Sequence, residues 1–229
     1  MKKGLSVLLA VVLLLTGCSR FVYINPTPMV HITYSAADDT PLTDGEWAHT
    51  AAILEQRLTA IAITDYKVSL DSQAGIIEVD VPRRHYPGNL TKLAENWGSR
   101  GELSICIDED GGDPPLPPEG VVLDNRHVAS AEAVSVEGDF AVKLTFTADG
   151  AEILSNTTKR LTAVRGTMPI WMDWQLVSTA SVMQPNPDGE ALVTGFTSGE
   201  AAALFAAKLN HYPFPCHLIA SVDFSDAGE

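Results

Sequence analysis

Apolar and polar positions alternate through Val30, Ile32 and Tyr34, the period-two pattern of a strand with one buried face. A turn-rich stretch, Asp38 to Gly45, precedes Trp47, Ala51, Leu54, Leu58 and Ile61, whose spacings of four and three place them on one side of a helix. Val68 and Leu70, a turn at Asp71 to Gly75, and then Ile77, Val79 and Val81 alternating with Glu78 and Asp80 predict a hairpin. Leu90, Leu93, Ala94 and Trp97 mark one face of a short helix, and Leu103, Ile105 and Ile107 a further strand. Strand, helix, hairpin, helix, strand is the order of an α+β region, here residues 30–107.

Asp108 to Gly120 breaks the pattern with four prolines, three glycines and five acidic residues, which makes 108–120 an internal boundary. Beyond it come a short Val121-Val122-Leu123 element, a strand near Ala131 to Val136, a turn at Glu137-Gly138-Asp139 and a strand through Phe140, Val142, Leu144 and Phe146. A helix from Ala148 to about Leu161, a hairpin around Ile170 to Val177, a loop through Pro185 to Gly189 and a strand at Leu192 to Val193 follow. Thr197 and Glu200 have the spacing of a capping box at the start of a last helix, with Ala201, Leu204, Phe205 and Leu209 as its buried stripe. Pro213 and Pro215 stop that helix, and Leu218 to Val222 is placed as an edge strand. Residues 121–222 thus form a second α+β region that returns to the first, and 223–229 a tail.

The longest apolar run lies ahead of all this. Lys2 and Lys3 precede an apolar stretch from Gly4 to Thr16, and Leu14-Leu15-Thr16-Gly17-Cys18 ends it with small residues before a cysteine. The run is shorter than the roughly 20 residues that span a bilayer. It resembles the signal peptide of bacterial lipoproteins. The resemblance implies a leader 1–17 cut before Cys18, a diacylglyceryl lipid on the Cys18 thiol, and an N-terminus acylated, palmitate being the expected chain, or left free. Two or three chains anchor durably where one binds marginally. Residues 18–29, with Pro26 and Pro28, then read as a lipidated tether, and the body is expected on the extracytoplasmic face of the cell membrane.

Composition restricts the partners of that body. With 29 acidic and 15 basic residues the net charge is −14, and loss of Lys2 and Lys3 with the leader takes it to −16. Nucleic acid and anionic lipid heads are therefore excluded as main partners. Cys106 and Cys216 remain after lipidation of Cys18, either as one disulfide or as two buried thiols.

Three segments carry a second resemblance. Gly195-Phe196-Thr197-Ser198-Gly199-Glu200-Ala201 is followed by an alanine-leucine helix and Pro213-Phe214-Pro215. Upstream lies Val142-Lys143-Leu144-Thr145-Phe146-Thr147-Ala148-Asp149-Gly150-Ala151, and further back Ile53-Leu54-Glu55-Gln56-Arg57-Leu58 with Val68 and the strand Ile76 to Pro82. Their succession over Gly45 to Ile219 resembles the first periplasmic domain of SecD, a subunit of the bacterial protein-export machinery. The resemblance implies a ferredoxin-like base, a protruding α+β head after the proline-rich loop, and contact with exported polypeptides. Two departures stand out: Asp173-Trp174 where the family usually has an Asp-Gly turn, and Thr179-Ala180-Ser181 where it usually has Ser-Ala-Pro. SecD also continues into membrane helices whose charges couple to proton flow, which this sequence does not supply.

Catalytic chemistry is not spelled out. No Gly-x-Ser-x-Gly elbow or phosphate-binding glycine loop occurs. His31, His49, His85, His127, His211 and His217 lack metal-ligand spacing, and the group His211, Cys216, His217 is interrupted by prolines. Asp108, Asp110 and Asp113 lack the distal glutamate of a calcium loop and read as a solvated linker. Asp71 with Glu78, and Glu132 with Glu137, have no partner motif for glycosidase work. Neither cofactor nor metal is expected.

Trp171 and Trp174 are the candidate partner-binding residues. On one strand they would face opposite sides, one in the core and one exposed at a rim shared with the loop Gln184 to Gly189. The sequence thus points to a non-enzymatic, lipid-anchored α+β protein that binds protein or peptide, with a structural envelope lipoprotein as the alternative and an extracytoplasmic hydrolase as the third. Cys18→Ala is expected to abolish fatty-acid labelling and leave the protein unanchored or uncleaved; labelling equal to wild type would contradict the assignment.

Overall fold

The computed structural model describes residues 28–37, 41–83, 89–110, 114, 116–117, 119–211 and 214–224. Outside the described residues lie the leader 1–17, Cys18 and most of the tether, together with His85, Asp113, Pro213 and the tail from residue 225. In chain order, the elements are β1 (Met29–Ala36), α1 (Asp44–Ala60), β2 (Lys67–Asp71), β3 (Ile76–Pro82), α2 (Leu90–Gly98), β4 (Leu103–Cys106) and β5 (Val121–Asp124). They continue with β6 (Val128–Val136), β7 (Asp139–Phe146), α3 (Ala148–Val164), β8 (Thr167–Met172), β9 (Gln175–Ser181), β10 (Glu190–Phe196), α4 (Gly199–Asn210) and β11 (Leu218–Phe224).

The base is an antiparallel sheet of order β11-β1-β3-β2. Its register sets Val30 beside Val81, Ile32 beside Val79 and Tyr34 beside Ile77, so the residues that alternate inward in sequence form continuous buried rows. Trp47, Ala51, Leu54 and Leu58 of α1 and Leu90, Ala94 and Trp97 of α2 cover those rows. At the centre Tyr34 donates its hydroxyl to the Ala94 carbonyl at 2.9 Å, which satisfies a polar group that burial would otherwise penalise.

One strand does not go where the chain order suggests. β4, expected to close the base within residues 30–107, pairs instead with β5 and β8, while β11 pairs with β1 from Val30↔Phe224 to Ala36↔Leu218. Alternation identifies a strand but not its neighbour. The base is therefore completed from the far end of the chain: β11 supplies Leu218, with Ala220 and Val222, to the same core.

Between α2 and β11 the chain builds the head from sheets of order β5-β4-β8-β9 and β10-β7-β6. Leu103, Ile105, Leu123, Val142, Leu144 and Ile170 are among the residues of its core. The β6–β7 turn falls at Glu137-Gly138, both with positive φ (54° and 96°), which fits a two-residue hairpin loop. α4 belongs to both cores: Leu204 packs into the base, while Ala202, Phe205, Ala206 and Leu209 pack into the head. A helix apolar on most sides is the kind that can serve two cores. Cys106 on β4 and Cys216 in the base core are both buried and are not joined in a disulfide.

The cap of α4 differs from expectation. Ser198, not Thr197, is the N-cap, accepting from the Ala201 amide at 3.2 Å. The N3 residue is then Ala201, whose side chain cannot reach back, so no capping box forms there. The box occurs on α1 instead, where Thr43 Oγ1 accepts from the Glu46 amide and Glu46 Oε2 accepts from the Thr43 amide at 2.8 Å. Ser198→Ala is expected to cost about 1 kcal/mol in denaturant unfolding and Thr197→Ala much less; the reverse order would refute the assignment.

Candidate functional site

The chain crosses between base and head twice, outward through Ser99 to Glu102 and back before β11. The two crossings are tied together: the Phe214 amide donates to the Arg100 carbonyl and Arg100 Nε donates to the Phe214 carbonyl, both at 3.3 Å. Arg57 of α1, fully buried, lies beneath them. Its guanidinium donates to the carbonyls of Trp97, Ser99 (2.6 Å) and Arg100 (3.3 Å), and sits 4.1 Å above the Phe214 ring. α2 has no basic residue in its own last turn. Arg57 therefore supplies, from another helix, the cation that the carbonyl-rich C-terminus of α2 attracts. Burial pulls Arg57 down to about 10, a shift offset in part by Asp173 and Tyr34.

Asp173 brings the head to the same point. Its Oδ1 accepts from the amides of Gly101 (2.7 Å) and Glu102 (3.0 Å) in the outward crossing. Asn125 fixes the next residues, accepting from the Leu103 amide and donating to the Gly101 carbonyl, each at 2.8 Å. Gly101 has φ 82°, and a Cβ there would lie 3.1 Å from both Arg57 Nη2 and Lys208 Cβ. Only glycine meets both conditions.

Lys208 of α4 completes the cluster. Its side chain is 5% exposed; Nζ donates to Asn96 Oδ1 at 2.6 Å and stands 3.7 Å from Asp173 Oδ2, an ion-pair separation rather than a hydrogen bond. Burial lowers Lys208 to about 8, with Arg57 adding to the shift and Asp173 opposing it. Lys208, Asp173 and Asn96 line a cleft of about 680 Å³ between base and head, with apolar walls from Met172, Leu176, Leu204 and Phe205.

The two tryptophans separate, but not as alternating residues of one strand. Trp171 lies on β8 and is 8% exposed, so it does not join a binding rim. Trp174 is in the two-residue β8–β9 turn and is 62% exposed. Asp173 and Trp174 have φ of 51° and 66°, as in a type I′ turn, a conformation that suits glycine and strains a bulky side chain. The loop Gln184 to Gly189 is not beside Trp174. It lies at the other end of β9 and lines a separate groove of about 720 Å³ with Lys143, Met168 and Ala180. Seven residues of strand, roughly 20 Å, lie between them.

The other residues singled out from sequence have local roles or lie apart. Asp71 Oδ1 accepts from the amides of Gln73 and Ala74 in its turn, Glu78 accepts from Ser69, and Asp108 Oδ1 accepts from the Asp110 amide. Cys216 packs in the base core, whereas His217 lines the cleft. No sequence pattern marks Arg57, Lys208, Asn96 or Asp173 as functional. A lysine and an arginine on the apolar sides of otherwise regular helices were the available signals.

A ferredoxin-like base with an α+β head inserted before its last strand defines the class of protein. Residues 104–215 match the family model described as SecDF, P1 head subdomain, and that span is the inserted head. In fold the chain is similar to the crystal structure of SecDF in its super-membrane-facing form, at 21% identity and a TM-score of 0.63, covering 85% of this chain and 30% of that one. It is similar also to a structure of SecDF described as a membrane component that enhances protein export, at 22% identity and a TM-score of 0.57, covering 83% of this chain and 97% of that one. The chain thus has the fold of the SecDF P1 domain and spans under a third of the length of the first of these structures. A comparison with curated proteins finds no match. The α+β, ferredoxin-like assignment and the SecD resemblance read from sequence stand.

Proposed function

We propose that this protein is a lipid-anchored, extracytoplasmic SecD-like domain that binds extended polypeptide segments in the cleft between base and head, in association with protein export and without chemistry of its own. Cys18 would carry the anchor. No helix among the described residues is long and apolar enough to cross a membrane. The observation that carries the binding reading is Trp174: an exposed indole kept in a left-handed turn whose residues on either side, Asp173 and Gln175, line the cleft wall. Such backbone strain persists where the surroundings impose it and clusters at ligand sites.

Backbone hydrogen bonding suits the same place. β9 is the last strand of its sheet and pairs, among the described residues, with β8 alone. Gln175 to Val177 of this strand line the cleft, and Leu176 is 45% exposed. Open N–H and C=O groups flanked by apolar side chains bind extended chains with little regard to sequence. β10 runs against this edge at Val177, where a Cβ on Gly195 would stand 3.8 Å from the Val177 carbonyl oxygen, so the stretch offered to a peptide is Gln175 and Leu176.

Trp174→Ala is expected to weaken binding of an unfolded, carboxymethylated model protein about five-fold or more, the effect of losing a central aromatic anchor. Trp174→Gly is expected to weaken binding equally while stabilising the fold by about 1 kcal/mol, since glycine adopts the turn freely and little burial is lost. Binding of both variants at wild-type strength, measured by titration calorimetry, would refute the proposal.

A further inference from the structure

Two buried cations, Arg57 and Lys208, face one half-buried carboxylate, Asp173, so this trio at the inner wall of the cleft carries one uncompensated positive charge. A buried charge without a partner is costly unless something neutralises it. Three of the four Nη donors of Arg57 go to carbonyls, its buried Nε has no hydrogen-bond partner among the described residues, and the side chain does not line the cleft. Asp173 Oδ1 is committed to two amides. Lys208 differs from both: an ammonium has three donors, one goes to Asn96, and Asp173 Oδ2 at 3.7 Å is beyond hydrogen-bond reach. The unspent donors belong to a residue of the cleft wall, next to Asn96 and Ser99, which supply neutral hydrogen-bonding groups.

We propose that the inner wall of the cleft is a carboxylate subsite, in which Lys208 receives an acidic side chain or the terminal carboxylate of a bound polypeptide. The inference rests on the polypeptide-binding reading and specifies its ligand. Charge-assisted hydrogen bonds to a desolvated ammonium are the strong kind. The apolar walls from Met172, Leu176 and Leu204 make the preferred ligand an acid flanked by apolar residues. With a net charge of −14, the chain as a whole repels acids, so the preference is local to this cation and not a property of the general surface.

The charged groups around Lys208 are Arg57 from α1, Lys92 and Glu95 from α2, Asp173 from the β8–β9 turn, His217 ahead of β11 and His211 at the end of its own helix. Burial holds Lys208 near 8 in the free protein. The ammonium is present below that pH and lost above it, so the acid preference is full at pH 7 and declines as pH rises. A bound carboxylate stabilises the ammonium and moves the decline to higher pH.

The test uses the full chain and three rhodamine-labelled seven-residue peptides of alternating valine and threonine. One is amidated and neutral, one has a free C-terminal carboxylate, and one is amidated with a central glutamate. By fluorescence anisotropy at pH 7 at least one acidic peptide is expected to bind about ten-fold tighter than the neutral one, and the arm that does so identifies a terminal or a side-chain carboxylate. Lys208→Met is expected to remove that advantage, so that the acidic peptides bind the variant no tighter than the neutral one. If the variant does not fold, loss of the advantage in the wild type as pH rises from 7 to 10 serves instead. Equal affinity for all three peptides, or an advantage that survives Lys208→Met or the rise in pH, overturns the subsite and leaves polypeptide binding standing. Absence of binding by every peptide overturns both.

Discussion

The contact on which the rest of this structure depends is the guanidinium of Arg57 against the carbonyls of Trp97, Ser99 and Arg100. It closes the open end of α2, fixes the direction in which the chain leaves the base, and supports Phe214 where the chain returns. A head inserted between α2 and β11 could otherwise swing on two single strands. With Arg57 below the crossings and Asp173 above them, the crossings are held from both modules. The cleft and its inner wall at Lys208 take their shape from that junction.

Charge burial makes the junction specific rather than merely sticky. Apolar groups would seal the same space at lower desolvation cost, since a buried ion pair often only breaks even with a hydrophobic replacement. The directional donors of Arg57 instead accept one arrangement of carbonyls, and Gly101 is the one residue of the outward crossing that lets Arg57 and Lys208 come so close. Leu204 on the neighbouring turn of α4 anchors the helix in the base core, while Phe205 and Leu209 anchor it in the head. Polar precision and apolar burial thus act on one helix, and the strained turn of Asp173 and Trp174 is held against it.

Much of the base was legible because a helix stripe such as Trp47, Ala51, Leu54 and Leu58, or the alternation of Ile77, Val79 and Val81, reports burial directly. Pairing was less legible. β4 and β11 both read as strands, and only contacts between distant parts of the chain decide that β11 closes the base. Adjacent Thr197 and Ser198 are both good caps, so the box spacing to Glu200 favoured the wrong one of the two. Alternation places Trp174 on a strand, because it does not foresee a turn with positive φ at a bulky side chain. Arg57 and Lys208 fall on the apolar sides of their helices, but that signal is weak, because long cationic side chains at such positions ordinarily reach solvent.

The central claim is that Arg57 couples base and head into one cooperative unit. Native-state hydrogen exchange of β3 in the base and β8 in the head, followed through increasing urea, tests it most directly in the wild type and in Arg57→Met. Removal of the guanidinium strands three carbonyls, a loss of at least about 3 kcal/mol. The account predicts that the two strands lose protection together in the wild type and at separate urea concentrations in the variant. If Arg57→Met keeps the two in step and loses less than about 1 kcal/mol, the junction is not what holds this fold together.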